Sequence, residues 1–296
     1  MRPDIPFKEN EPMDRHCTFR TGGPADIFFE PGSEDELVSV LKHLGSSGIP
    51  FVIVGRGSNI LVSDDGYRGA VIHLGEKLSE IYLDESGRIY AACGATLAQL
   101  SSFAAKNDLK GLEFAYGIPG TVGGGVLMNA GAYGGEIKDT ILSARVMGHD
   151  LTIREVKKDD MDLSYRHSAF QESGDIILSA VFAPEKGSGE ESEALMKELN
   201  ARRAEKQPLN YPSAGSTFKR PEGNYAGTLI QECGLKGYTI GGAQVSEKHA
   251  GFIINTGSAT SSDIYSLIRY VRTTVKDKTG YDLVPEVRFL GDFDKA

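Results

Sequence analysis

Tryptophan is absent from this chain, and cysteine is nearly so, with Cys17, Cys93 and Cys233 the only three among 296 residues. They are far apart, odd in number and form no C-x-x-C pair. That excludes a disulfide framework or thiolate metal cluster and suits a reducing compartment. The six histidines show no H-E-x-x-H or H-x-x-x-H spacing, so zinc chemistry is not expected and no metal site is assigned. No apolar run approaches the roughly 18 residues of a membrane span. The opening Met1-Arg2-Pro3-Asp4-Ile5-Pro6 also lacks the apolar stretch of a signal peptide. A soluble, cytoplasmic protein is the expectation. Positive charge is short as well: 32 Lys and Arg against 41 Asp and Glu leave a net charge of −9. Such a balance argues against nucleic acid or an anionic membrane as partner. Any anionic ligand must be met by local basic clusters.

What the chain has in excess is glycine. Thirty-six glycines in 296 residues are about 12%, against a usual ~7%. They cluster in two loops, so collagen-like and low-complexity readings fail. The length exceeds what one core usually supports, and two or three domains are expected.

Hydrophobic spacing supplies a coarse order of elements. Ser33-Glu34-Asp35-Glu36 reads as a capping box opening a helix with Leu37, Val40, Leu41 and Leu44 on one face. Strands are expected at 51–54, 71–74, 89–92, 141–147, 151–156 and 176–182, with a helix over 97–106. Residues 184–189 read as a linker, followed by a helix over 192–206 that stops before Pro208. Further helices are expected at 225–233 and 262–278, and a last strand at 284–289. Strands and helices mix without strict βαβ alternation, so the fold class is α+β, not a doubly wound sheet.

The first glycine loop is Val54-Gly55-Arg56-Gly57-Ser58-Asn59-Ile60-Leu61, directly after a strand. Glycine there lets backbone N–H groups turn inward and approach phosphate oxygens, making an anion nest without a basic side chain. It is not the Rossmann fingerprint, because Ile60 stands where a third glycine would, and no Gly-Lys-Ser/Thr of a P-loop exists in the chain. Taken alone this loop is as well explained by a tight turn. The second loop runs Tyr116-Gly117-Ile118-Pro119-Gly120-Thr121-Val122-Gly123-Gly124-Gly125 and on through Asn129-Ala130-Gly131-Ala132-Tyr133-Gly134-Gly135. Backbone so stripped of side chains suits passage against a flat ring system and its diphosphate tail. Its apolar residues Ile118, Pro119, Val122, Val126, Leu127 and Met128 argue against a mobile surface loop.

These two loops, with Thr18-Phe19-Arg20-Thr21-Gly22-Gly23-Pro24-Ala25-Asp26 before them, resemble the FAD-binding domain of the vanillyl-alcohol-oxidase (PCMH-type) flavoproteins. More narrowly, they resemble the UDP-N-acetylenolpyruvoylglucosamine reductases. Three motifs further along are similar to that family's active-site segments: Ser164-Tyr165-Arg166-His167-Ser168-Ala169-Phe170, Pro212-Ser213-Ala214-Gly215-Ser216-Thr217-Phe218-Lys219-Arg220-Pro221 and Pro285-Glu286-Val287-Arg288-Phe289. The resemblance covers residues 18–289.

It implies a PCMH-type FAD-binding domain of two α+β subdomains, 1–80 and 81–189, and an α+β substrate-binding domain, 190–296. It implies FAD, held non-covalently, and NADPH as co-substrate, with UDP-N-acetylglucosamine enolpyruvate as the partner reduced; a monomer is expected. Cofactor contacts are expected from Arg20, Gly55, Arg56, Gly57, Ser58, Asn59, Gly117, Ile118, Pro119, Gly120, Thr121, Gly123, Gly124, Asn129 and Ala132. Arg166, Ser216 and Glu286 are implied as catalytic, with Ser216 the proton donor, and Tyr165, Lys219 and Arg288 as substrate or NADPH contacts. Only about fifty residues separate Arg166 from Ser216. The tyrosine-bearing loop of the longer reductase class is thus absent, and the chain resembles the shorter, type II class.

Those residue types fit the reaction. Hydride added to one alkene carbon pushes electrons onto its neighbour and the attached carboxylate. A fixed guanidinium suits that charge, Glu286 can hydrogen-bond the same group and hold the arginine, and a carbanion is basic enough to be protonated by a hydroxyl. Ser216 is not a hydrolase nucleophile, because Gly215-Ser216-Thr217 lacks the second glycine of G-x-S-x-G. His167 and His249 read as hydrogen-bonding or surface residues, and Cys233 as a packed apolar group. Two other readings stay open: a flavin oxidase or dehydrogenase acting on an alcohol or 2-hydroxy acid, and a non-catalytic flavin or nucleotide-sugar binding module.

Overall fold

The computed structural model describes residues 5–293. Met1–Asp4, part of the opening segment read for a signal peptide, and residues 294–296 lie outside the described residues. The chain divides into two compact units. Of the described residues, one unit holds 5–7, 29–55 and 72–203, the other 8–28, 56–71 and 204–293. Among the described residues no helix is long and apolar enough to cross a membrane.

The first unit is built on a five-stranded antiparallel sheet in the order Ile153–Lys157, Ile141–Met147, Ile176–Phe182, Ile89–Ala92, Ile81–Leu83. Its middle strand, I-I-L-S-A-V-F, is buried at every position but Val181, as the unbroken apolar run requires. The edge strand Ile153–Lys157, displaced by two residues from its expected start, is mostly exposed and charged, which discourages pairing with other chains. Helix α1 (Glu34–Ser47) buries the expected Leu37, Val40, Leu41 and Leu44. Its cap corrects the sequence reading, because only half the box forms. Ser33 Oγ accepts from the Glu36 N–H at 3.2 Å, but the Glu36 carboxylate turns to the Gly32 N–H at 2.6 Å.

Helices α2 (Leu97–Lys106), α3 (Val122–Leu127), α4 (Ile137–Thr140) and α5 (Phe170–Ser173) follow. Leu97, Leu100, Phe114, Val122, Val126, Ile137 and Phe182 share one core cluster. Residues 184–189 are not a linker. Glu185–Lys186 pairs antiparallel with Leu109–Lys110, and Gly189 N–H donates to Asp108 Oδ1 at 3.0 Å. Helix α6 therefore starts early, at Gly189, and ends at Lys206. Pairing partners eighty residues away leave no trace in local composition.

The second unit has its own core cluster, around Phe19, Leu61, Phe218, Leu229, Ile264, Leu267, Ile268 and Val271. It contains α7 (Ala226–Glu232), the antiparallel meander Thr239–Ile240, Ala243–Val245, Ile253–Asn255, and the long helix α8 (Ser261–Thr279). Helix α8 opens on a capping box formed by Thr260 and Asp263 and ends at Gly280 with φ +79°. Asp64 adds a distant cap: its carboxylate accepts from the Ser261 N–H (2.8 Å), the Ser262 N–H (2.8 Å) and Ser262 Oγ (2.6 Å).

Near the C-terminus the expected strand 284–289 is shorter. Only Arg288–Leu290 is ladder-paired, in parallel with Ile60–Val62. Pro285, which has no N–H to give, makes a single bridge to Phe218. Strand residues at 8–12 and 24–28, which no apolar run announced, complete this unit.

Candidate active site

In the second unit, segment 56–59 behaves as a built nest. Gly57 has φ +65°, and a Cβ there would lie 2.0 Å from the His16 carbonyl oxygen, so only glycine fits. The N–H groups of Arg56, Gly57 and Ser58 meet no acceptor among the described residues, although Gly57 is buried. The Gly57 carbonyl takes the Thr18 N–H at 3.1 Å, and the Thr18 hydroxyl oxygen is buried with no hydrogen-bond partner among the described residues. Buried donors without acceptors are rare and costly. A diphosphate laid against this turn would satisfy them, so these residues fit the tail of FAD. Threonine in a turn has no distinguishing spacing, so the sequence alone does not single out Thr18. Arg20, with φ +55°, is exposed just beyond it.

Two of the motifs expected to carry catalysis lie side by side in this unit. Thr217 is fully buried and anchored by its N–H to Gly251 O (2.8 Å) and by its hydroxyl, which accepts from the Ile253 N–H (3.1 Å). From there a short ladder runs to the last strand: Glu286 N–H to Thr217 O (2.8 Å), the Phe218–Pro285 bridge, and Lys219 N–H to Val284 O (2.8 Å). Ser216 is thus held, exposed, one residue before the clamp that fixes Glu286. Asn59 joins the nest to the same strand, donating from Nδ2 to Glu286 O (3.1 Å) and accepting the Arg288 N–H (2.9 Å).

In the first unit the three successive glycines of α3 have different reasons. A Cβ on Gly123 would sit 3.1 Å from Cys93 Cβ and 3.3 Å from its carbonyl oxygen, and one on Gly125 3.0 Å from Leu97 Cδ2. Close packing favours glycine at both, Gly123 against the chain that follows strand Ile89–Ala92 and Gly125 against the first residue of α2. Gly124 is exposed, and a Cβ there would meet only Thr121 Oγ1, at 3.7 Å. The fold leaves Gly124 unexplained, as a surface reserved for a flat group would. Gly55 needs to be glycine because a Cβ would lie 2.5 Å from Thr121 Oγ1. Ile118 is half-buried against the core cluster, while Pro119 is exposed.

Arg166 occupies a tight hairpin in which Ser164 and His167 exchange backbone hydrogen bonds (3.3 and 3.2 Å), with φ +55° at Arg166 itself. Left-handed backbone at a bulky residue is retained only where surrounding contacts enforce it. Here the guanidinium of Arg166 itself and the side chain of Gln171 enforce it. Its guanidinium donates to Gly131 O (3.3 Å) and lies 5.3 Å from the Tyr165 ring centroid, and Gln171 Nε2 donates to both Arg166 O (3.0 Å) and Leu127 O (2.9 Å). Ser168 Oγ adds a bond to Leu127 O at 2.7 Å.

Asn129, expected as a cofactor contact, is 1% exposed with φ +40°. Its Nδ2 donates to Glu136 Oε2 and Ser164 O (both 2.9 Å), and its Oδ1 accepts the Lys138 N–H (2.9 Å). Those bonds tie the glycine loop to the arginine hairpin. The Lys138 ammonium, Asn129 and the charge of Arg166 hold the Glu136 carboxyl below its ordinary range against partial desolvation. His167 bonds Asp162 (3.1 Å) on the surface, and burial pushes the His249 ring below its usual range; its Nδ1 takes the Gly251 N–H at 3.1 Å.

Residues 25–157 match the FAD binding domain family, and residues 207–290 match the family described as UDP-N-acetylenolpyruvoylglucosamine reductase, C-terminal domain. The chain is 50% identical over 283 residues to the UDP-N-acetylenolpyruvoylglucosamine reductase of Caldanaerobacter subterraneus subsp. tengcongensis, covering 96% of this chain and 93% of that protein. It is 48% identical over 286 residues to the enzyme of that name from Clostridioides difficile, covering 97% and 94%. The crystal structure of the reductase from Thermus caldophilus superimposes with a TM-score of 0.82 at 31% identity, over 97% of this chain and 99% of that one. The resemblance read in the glycine loops and the α+β class are borne out. With identity of that level along nearly the whole of both sequences, this chain belongs to the UDP-N-acetylenolpyruvoylglucosamine reductase family.

Proposed function

We propose that this chain reduces UDP-N-acetylglucosamine enolpyruvate to UDP-N-acetylmuramate, a peptidoglycan precursor, with FAD bound and NADPH as the electron source. FAD, when bound, supplies hydride to one alkene carbon and is recharged by NADPH. The residues of this chain do the rest. Arg166 carries a permanent charge for the substrate carboxylate as electrons move onto it, and its strained hairpin keeps that charge in one place. Glu286 holds the arginine as a carboxylate and, when protonated, donates a hydrogen bond to the substrate carboxylate. Ser216 gives its hydroxyl proton to the carbon next to the site of hydride addition; because that carbon is strongly basic, a hydroxyl suffices.

Arg20, segments 55–59 and 117–124, Asn129 and Ala132 serve the cofactor. For Asn129 the support is indirect, through the loop it braces. Tyr165, Lys219 and Arg288 serve the substrate or NADPH. Functionally, 1–80 and 81–189 form the two cofactor subdomains and 190–296 the substrate domain. The protein works as a cytoplasmic monomer, without nucleic acid or membrane partners.

The observation that carries the reading is the ladder fixing Ser216 beside Glu286 within the matched C-terminal domain. The test is NADPH oxidation with and without the enolpyruvyl UDP-sugar, with product identified by mass, in the wild type and Ser216→Ala. The variant keeps FAD and is bleached by NADPH but makes no product. Unchanged product formation removes Ser216 from the mechanism, and oxygen consumption with no dependence on the UDP-sugar favours a flavin oxidase instead.

A further inference from the structure

Arg203 stands in the last turn of α6 in the first unit. One position earlier, Arg202 is an ordinary surface cation, exposed and paired with Glu198 one turn back. Arg203 is different. Its Nε is buried with no hydrogen-bond partner among the described residues, and its guanidinium donates to the carbonyl oxygen of Gly117. Among the described residues no carboxylate forms an ion pair with it. Desolvation holds its pKa below the usual arginine range, and the opposing influence comes from Tyr133. Gly117 leaves it the room it occupies, since a Cβ there would lie 3.3 Å from Arg203 Cδ and 3.5 Å from its Nη1. Buried cations are normally paired with an acid or with a bound group. Here the acid is missing and the neighbours are the backbone of a cofactor loop.

We infer that Arg203 is a cofactor-contacting cation that binds the flavin ring and favours the negative charge the ring gains on reduction. Three observations favour the ring over the diphosphate tail. Gly117 opens the side-chain-poor loop whose Gly124 is exposed and has no packing reason to be glycine. The glycine loop that takes the Arg203 guanidinium at Gly117 O also takes the Arg166 guanidinium at Gly131 O, so Arg203 serves the loop of the reacting end. The N–H groups suited to phosphate lie in a separate segment, 56–58. A buried guanidinium, poorly solvated, acts more strongly on a nearby charge than one in water. The inference rests on the assignment of FAD above.

The experiment uses the full chain with FAD, as wild type, Arg203→Met and Arg203→Lys. Wild-type colour and NADPH oxidation dependent on the enolpyruvyl sugar test the cofactor assignment by themselves, independently of Arg203. On the variants, three quantities are read: the FAD dissociation constant, the two-electron midpoint potential, and the affinity for sulfite, which adds to flavins whose ring accommodates negative charge. Arg203→Met is expected to keep FAD within about tenfold of wild type. It should bind sulfite at least about tenfold more weakly and lose about tenfold in preference for reduced flavin, or about 30 mV. Arg203→Lys, which keeps the charge but not the fork, should lose about threefold or less in both.

A wild-type potential and sulfite affinity in Arg203→Met overturn the proposal. So does flavin loss from both variants with the residual bound flavin unshifted, which would make Arg203 a tail-binding or purely structural residue. If Arg203→Met does not fold, Arg203→Gln takes its place under the same criteria.

Discussion

Gly124→Ala separates what the fold needs from what the cofactor needs. In α3 a new methyl at this position would meet only Thr121 Oγ1, at 3.7 Å, so the protein without FAD tolerates it. Replacing glycine by alanine within a helix favours the helix by up to ~1 kcal/mol; near the first turn we take ~0.8 kcal/mol, worth about 2 °C in Tm. With FAD the sign reverses. A methyl inserted into a closely packed contact costs ~1–3 kcal/mol, and 2 kcal/mol is about 30-fold in Kd. At free FAD about 100 times the wild-type Kd, binding stabilises the wild type by ~2.7 kcal/mol and the variant by only ~0.9 kcal/mol.

The variant is therefore expected to melt above wild type without flavin and below it with flavin. Thermal melts with and without FAD measure this, together with direct titration of apoprotein. Gly123→Ala is the control. Its Cβ would press on Cys93 Cβ at 3.1 Å and Cys93 O at 3.3 Å, so it lowers Tm under both conditions. An equal FAD-induced shift in wild type and Gly124→Ala would show that Gly124 does not face the cofactor.

Other outcomes follow from single contacts. Asp64→Ala removes three hydrogen bonds from the start of α8; it should cost ~1–2 kcal/mol of stability, seen as an earlier denaturant midpoint, with α8 still formed on its own capping box. Asn129→Ala unties the glycine loop from the arginine hairpin; FAD should remain bound while kcat falls at least about tenfold, and a fall in KM-linked binding alone would argue against this role. Burial pushes the Cys93 thiol up to about 12 from 9.0. The native state therefore holds its proton where the unfolded chain loses it. Stability is complete below pH 9 and declines as pH rises toward about 12. Native protein should resist alkylation at Cys93 at pH 8, and alkaline melts of Cys93→Ala should fall less steeply than wild type.

Local spacing was enough for much of this molecule. Helix α8, helix α1 and the strand Ile176–Phe182 were legible because their burial pattern repeats with the period of their own backbone. The two glycine loops and the Ser216 and Glu286 motifs stood out as short contiguous strings, where composition and resemblance both reside. Other features depend on partners far along the chain. Residues 184–189 are ordered by pairing near Asp108, and Pro285 ends its pairing at a bridge to Phe218. No window of sequence contains both halves of either contact. Three adjacent glycines in α3 look alike in the sequence, yet Cys93 and Leu97 explain two of them and leave Gly124 open. Likewise, a buried hydroxyl at Thr18 and a buried Nε at Arg203 are conspicuous only once the surrounding chain has excluded water and failed to provide an acceptor. Periodicity and short motifs are properties of neighbouring residues. Burial and hydrogen-bond satisfaction belong to the folded chain as a whole, and only tertiary structure could decide them.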